Sequence, residues 1–234
     1  MTSGQPSAEA SLPPVPFERV SAILRQLSHD VRNELGALDL EAAYIAEASK
    51  EPSTAAEAKR LRNIVAEAAV KLKKLSAAVG PLSIQAHPIS ARMFVEEVRT
   101  RLSKTWPKEM AAAAWNLELG GETIVIDFEV MAAAFARIFE NAFQFREDGL
   151  WIEFRAFGRD GKVIFEFVEG KKTVPSPPEK WGVEPFVTSR KDAYGLGLFY
   201  VRRVIGAHHG RMAASHDAVR GVLVTQVVLP EEKG

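Results

Sequence analysis

The chain has 234 residues, 47% of them hydrophobic and 26% charged, which suits one large globular domain or two modest ones. Its 30 basic side chains balance its 30 acidic ones, and cysteine is absent. That balance argues against nucleic-acid and anionic-membrane partners, and the missing cysteine excludes disulfides, thiolate zinc sites and cysteine nucleophiles. No apolar run approaches the roughly 18–20 residues that span a bilayer and no secretory signal opens the chain, so a cytoplasmic protein without a membrane sensor of its own is expected.

Residues 1–16 are rich in Ser, Pro and Gly and are expected to form a disordered tail. From Phe17 to about Ala48 the apolar residues Val20, Leu24, Leu27, Val31, Leu35, Leu38, Ala42 and Ile45 recur at spacings of three and four, the mark of an amphipathic helix with a near-heptad stripe. Lys50-Glu51-Pro52-Ser53 breaks it. Thr54 followed by Glu57 has the form of a capping box, and a second helix follows on Leu61, Val65, Ala68, Leu72, Leu75 and Val79, ending at Gly80-Pro81. Two such helices cannot surround their own apolar seams, whereas two hairpins packed as a four-helix bundle can. A homodimer through residues 17–84 is therefore expected; packing of the seam on the rest of the chain is the alternative.

From about residue 85 to 234 the pattern turns to mixed α and β. Ser90 can cap a helix to about Ser103. Trp115–Leu119 and Thr123–Ile126 read as short strands, and Phe128–Phe145 reads as an Ala- and Phe-rich helix. Trp151–Phe157 and Lys162–Val168 form a hairpin across Arg159-Asp160-Gly161, because Asp-Gly favours the tight turn that joins two strands. A proline-rich loop covers 170–192. A helix over Leu196–Ala207 and strands over Arg211–Ser215 and Val222–Leu229 complete an α+β fold.

His29 is the informative position. It lies two residues from both Leu27 and Val31 on the stripe, about 200° around the helix axis, so it is expected to face solvent. An exposed imidazole carries a nitrogen that can attack phosphorus. Asp30 can hold the imidazole proton and leave the other nitrogen free. Asn33, one turn on, can orient an incoming phosphoryl group or a water.

The segment LSHDVRNEL around His29 resembles the H box of two-component sensor histidine kinases. Residues 88–230 resemble the ATPase domain that this family shares with gyrase, Hsp90 chaperones and MutL. The resemblance makes His29 the phosphoacceptor and Asp30 the general base. It implies a dimeric hairpin followed by an α/β sandwich, with ATP and magnesium as cofactors and a response regulator receiver domain as partner. Phe135–Ala142 resembles the N box, in which Asn141 would give an amide oxygen to magnesium. Glu184–Arg190, including Thr188, resembles the F box beneath the ATP lid. Gly195-Leu196-Gly197-Leu198 resembles the glycine box that faces the phosphates at a helix start.

Three positions depart from the family pattern. Arg137 stands where kinases have Asn and ATP-hydrolysing relatives a Glu base, which makes gyrase-type hydrolysis unexpected. Gln144 stands where many kinases have a phosphate-binding Lys; Arg137 or Arg146 is the candidate substitute. At the adenine end, Glu169-Gly170-Lys171-Lys172-Thr173 replaces Asp-x-Gly-x-Gly. Glu169 keeps a carboxylate for the adenine amine, but Lys171 and Thr173 replace both motif glycines, so adenine affinity is expected to be weak, altered or lost. An ATP-dependent kinase is the expectation. An ATP-independent phosphotransferase or phosphatase, and a non-catalytic regulator-binding scaffold, are the alternatives. His208 and His209 lack metal-ligand partners at sensible spacing and read as helix-end residues.

Overall fold

A computed structural model describes residues 16–145, 151–188 and 194–232. The expected tail over 1–15, and Arg146 and Arg190, lie outside the described residues. The chain divides into two compact units, one ending at Gly80 and the other beginning at Pro81.

The first unit is a helical hairpin of α1, Phe17–Ala48, and α2, Pro52–Val79. α2 begins two residues before the expected capping box. Glu51 is its N-cap without a side-chain bond, Pro52 opens its first turn, and Thr54 Oγ1 donates instead to the Glu51 carboxylate. Proline prevails here because its fixed φ is already helical and it has no N–H to leave unpaired.

The α1 stripe is corrected in a more consequential way. Leu24, Val31 and Leu35 are half-buried and Ala42 is buried, but Leu27, Leu38 and Ile45 are exposed, Leu27 at 55%. Ser21 and Ser28 take their places in the hairpin seam, Ser28 at 1% exposure. Small side chains let two helix axes come close, so α2 packs over the serines and displaces the leucines outward. The Ser21 hydroxyl donates to the Val79 carbonyl at the end of α2, closing the open end of the hairpin. Arg62 on α2 pairs with Asp39 on α1 at 2.9 Å and holds that exposed carboxyl below its usual range.

The second unit is a five-stranded sheet with helices and a small two-stranded sheet. Its order is β2 (Ala114–Glu118), β4 (Ile152–Arg159), β5 (Lys162–Gly170), β7 (Val222–Pro230) and β6 (Arg211–Asp217). β2 runs parallel to β4, and the other pairs are antiparallel. β1 (His87–Ser90) pairs antiparallel with β3 (Thr123–Ile126). β1, which lacks the apolar β-branched run of β3, and the short helix α4, Pro107–Ala112, were not read from sequence. Asp160 and Gly161 both have positive φ, as the expected hairpin turn requires.

Helices α3 (Ala91–Thr105), α5 (Phe128–Gln144) and α6 (Gly197–Ala207) supply the layer that covers the sheet. The Ser90 hydroxyl caps α3 at Met93 N, and the Asp127 carboxylate caps α5 at Val130 N. Burial disfavours the Asp127 charge, but N–H bonds from Gln85 and Val130 outweigh it and hold the carboxyl below its usual range. The core between the layers is aromatic. Phe94, Phe135, Phe139, Phe154, Phe165 and Phe167 are all buried, with several ring pairs edge-to-face at centroid distances of 4.9–5.1 Å, the geometry that ring quadrupoles favour.

Candidate phosphoacceptor and nucleotide site

On α1, His29 stands one residue beyond the buried Ser28 and its side chain is 64% exposed. The helix therefore carries it away from the seam, as its spacing from Val31 requires. Its Nδ1 lies 3.2 Å from Asp30 Oδ1 and 3.4 Å from Asn33 Nδ2. An ionised carboxylate only accepts, so the contact with Asp30 favours the tautomer with its proton on Nδ1 and its lone pair on Nε2. Gln26, one turn earlier, donates to both Asp30 oxygens at 2.9 and 3.2 Å. The His29 and Gln26 bonds hold the Asp30 carboxyl below its usual range. The sequence reading missed Gln26, although its i,i+4 spacing to Asp30 was a usable signal.

In the second unit, contacts along α5 and α6 fix their relative direction. The backbone N–H of Asp127, at the start of α5, donates to Nε2 of His208, at the end of α6, at 3.0 Å. The Nδ1–H of His208 donates to the Val204 carbonyl. His208 is thus a neutral, buried joint between helices as well as a helix-end residue. Midway, the Arg137 guanidinium lies 4.0 Å from the centre of the Tyr200 ring. The helices therefore run antiparallel, so the C-terminal end of α5, bearing Asn141 and Gln144, points the same way as the N-terminal end of α6, bearing Gly197. Asn141 is half-buried and Gln144 exposed. Burial lowers the pKa of Arg137, and its stacking on Tyr200 directs it along the helix pair.

The glycine-bearing segment leads into the start of α6. Leu196, the N-cap residue, is buried and its own side chain provides no cap. A Cβ added at Gly197 would meet nothing within 4 Å, whereas one added at Gly195 would lie 2.6 Å from the Phe186–Val187 backbone. Gly195 also has φ +65°. It is required by its own backbone, while Gly197 opens space in front of the helix. Gly195→Ala should cost about 1–3 kcal/mol in strain and displaced backbone, measured as a lowered urea midpoint; Gly197→Ala should leave that midpoint nearly unchanged. Thr188 is exposed at the end of its described stretch.

At the third corner, Glu169 is 4% and Lys171 7% exposed. Lys171 Nζ lies 3.9 Å from Glu169 Oε2 and donates to the carbonyl of Phe145, the C-cap of α5. The Lys171 backbone is also fixed, its N–H donating to Gly221 O at 2.7 Å and its carbonyl accepting from His216 at 2.8 Å. Sequence reasoning treated Lys171 as a lost glycine and gave its side chain no role. Burial raises the Glu169 carboxyl to about 7, with the Lys171 charge opposing that rise.

A raised folded-state pKa means that the folded protein prefers the protonated acid. The contribution of Glu169 to stability is fully present below its unfolded value of about 4.5 and is lost as pH rises toward 7. Urea titrations should show wild type losing up to about 3 kcal/mol over that window relative to Glu169→Gln.

No protein-family model and no curated protein matches this sequence. Solved structures do. The structure of full-length ShkA in complex with AMPPNP superposes with a TM-score of 0.72 at 19% identity, covering 92% of this chain and 46% of that one. Histidine kinase ThkA in complex with the response regulator protein TrrA gives 0.61 at 16% identity, covering 92% and 64%. This chain has the histidine kinase fold. A third such fold, AdeS of Acinetobacter baumannii, gives 0.55 at 14% identity, covering 88% and 98%. The chain spans under half the length of ShkA and under two thirds of ThkA. Among the described residues, no helix is long and apolar enough to cross a membrane. Nor, among the described residues, does any cluster of three His, Asp or Glu side chains offer a metal site.

Proposed function

We propose that the chain is a histidine kinase-like signalling protein that takes the γ-phosphoryl group of ATP onto His29 and passes it to an aspartate on a response regulator receiver domain. The observation that carries this reading is the exposed His29 ring, whose Nδ1–H faces the Asp30 carboxylate. That arrangement leaves the Nε2 lone pair for phosphorus. In the first transfer the Nε2–P bond forms as the bond from the γ-phosphorus to the β,γ-bridging oxygen breaks, and ADP leaves. In the second the N–P bond breaks as an aspartate oxygen takes the phosphoryl group.

Asp30 keeps the Nδ1 proton in place while Nε2 attacks and stabilises the positive charge that develops on the ring. Asn33 is placed to orient the phosphoryl oxygens. The positive end of the α6 dipole and the space at Gly197 suit the phosphates. Bound magnesium would neutralise phosphate charge, and Asn141 is the residue placed to hold it. Positioning and charge stabilisation are what phosphoryl transfer chiefly needs. ShkA was solved with AMPPNP and ThkA with a response regulator, and both facts support the reading. The test is transfer of labelled γ-phosphate. Alkali-stable, acid-labile label on wild type that chases onto a receiver domain is expected; an unlabelled wild type ends the proposal.

The same reading includes a homodimer and a cytoplasmic setting. Leu27, Leu38 and Ile45 on α1, with Leu61 and Ile64 on α2, are exposed in a single hairpin. Burying each in a four-helix bundle would contribute about 1.5–3 kcal/mol. Sedimentation should give twice the monomer mass of 25.7 kDa. Leu27→Glu with Leu38→Glu should give monomers.

A further inference from the structure

Three chain segments meet at one end of the second unit: the C-terminal end of α5, the end of β5 and the polypeptide at Gly221. Lys171 joins them. Its ammonium donates to the Phe145 carbonyl, lies 3.9 Å from the Glu169 carboxylate and faces the Phe145 ring at 5.6 Å. An ammonium at a helix C-terminus is held by the exposed carbonyls and the helix dipole. Its stem reaches that position because the Lys171 backbone is pinned to Gly221 and His216. The side chain is thus buried against the same carboxylate that the nucleotide reading assigns to the base.

We propose that Lys171 is a tethered competitor for the base-binding carboxylate, so that an adenine nucleotide enters only by displacing this chain's own ammonium from Glu169. The inference rests on the nucleotide reading given above and specifies what controls that site. Adenine would approach Glu169 as an N–H donor, whereas Lys171 holds Glu169 by charge at 3.9 Å while its own hydrogen bond goes to the Phe145 carbonyl. The exocyclic amine of adenine is neutral and arrives from solution. The Lys171 ammonium is charged, which strengthens its attraction to a carboxylate, and its covalent tether gives it a high effective concentration. The internal cation therefore wins at low nucleotide concentration. Lys171 acts as a specificity-determining and autoinhibitory residue, and removing its charge releases the site.

The experiment titrates the full chain, in magnesium, with a fluorescent ADP analogue, for wild type, Lys171→Ala, Lys171→Gln and Lys171→Arg. Glutamine keeps an amide donor for the Phe145 carbonyl but no charge, so it decides the matter if the alanine variant does not fold. Lys171→Ala should bind about tenfold tighter than wild type or better, Lys171→Gln severalfold tighter, and Lys171→Arg no tighter. Wild type binding within about twofold of the alanine and glutamine variants would overturn the competitor while leaving the ATP-dependent reading intact. Absence of binding in all four proteins at millimolar analogue would remove both.

Discussion

His29→Gln should abolish phosphoryl transfer while leaving the protein folded. Glutamine keeps a polar side chain of similar reach but has no nitrogen lone pair able to attack phosphorus, since its amide nitrogen is conjugated. The expected loss is complete within detection, at least about a hundredfold, because no residual route replaces the missing covalent acceptor. The His29 side chain is 64% exposed and its partners are Asp30 and Asn33 on the same surface. Substitutions at such positions move stability by about 0.5 kcal/mol or less. Unchanged helical circular dichroism and an unchanged urea midpoint, together with lost label, are therefore the joint outcome. Label retained on His29→Gln would place the acceptor elsewhere and withdraw the role given to this imidazole.

Phe135→Ala should be the most destabilising single truncation in the sheet-bearing unit, at about 3–5 kcal/mol. Phe135 is 1% exposed and packs edge-on to Phe94 and Phe165 at 5.0 and 5.1 Å, with Phe167 at 5.5 Å. These rings belong to α3 and β5, so one side chain joins α5 to both the helix layer and the sheet. Removing it leaves a cavity that three rigid rings cannot collapse to fill. All four tryptophans, Trp106, Trp115, Trp151 and Trp181, lie in this unit. Intrinsic fluorescence against urea therefore reads its unfolding without a signal from the hairpin. Because Phe135 precedes Asn141 on the same helix, the variant should also weaken whatever nucleotide binding the wild type has. A midpoint shift worth under about 1 kcal/mol would mean that the aromatic cluster is not the joint described.

Much of the fold was legible because local pattern and tertiary packing agree. The Asp-Gly turn fixed the β4–β5 hairpin. The Ser90 and Asp127 caps marked where α3 and α5 begin, and long apolar periodicity marked both hairpin helices. The legible part of the candidate site lies within single helices. His29, Asp30 and Asn33 meet because a helix brings i, i+1 and i+4 together, and that geometry is independent of the rest of the chain. β1 and α4 were not legible: His87-Pro88-Ile89-Ser90 lacks the run of β-branched residues that marked β3, and six residues of α4 span fewer than two turns. Pro52 shows how a stronger local preference displaced the Thr54 cap.

The sequence alone determined that α1 is an amphipathic helix with a near-heptad apolar stripe and that His29 lies off that stripe, because helical spacing sets angles without reference to any partner. Tertiary structure alone decided which residues of α1 face α2: Ser21 and Ser28 prevail because small residues permit the closer approach. It alone decided that His208 accepts the Asp127 N–H across 81 residues and that Lys171 reaches the Phe145 carbonyl across 26. Those pairings depend on where a whole sheet and two helices end in space, and residue spacing along a chain holds no record of that.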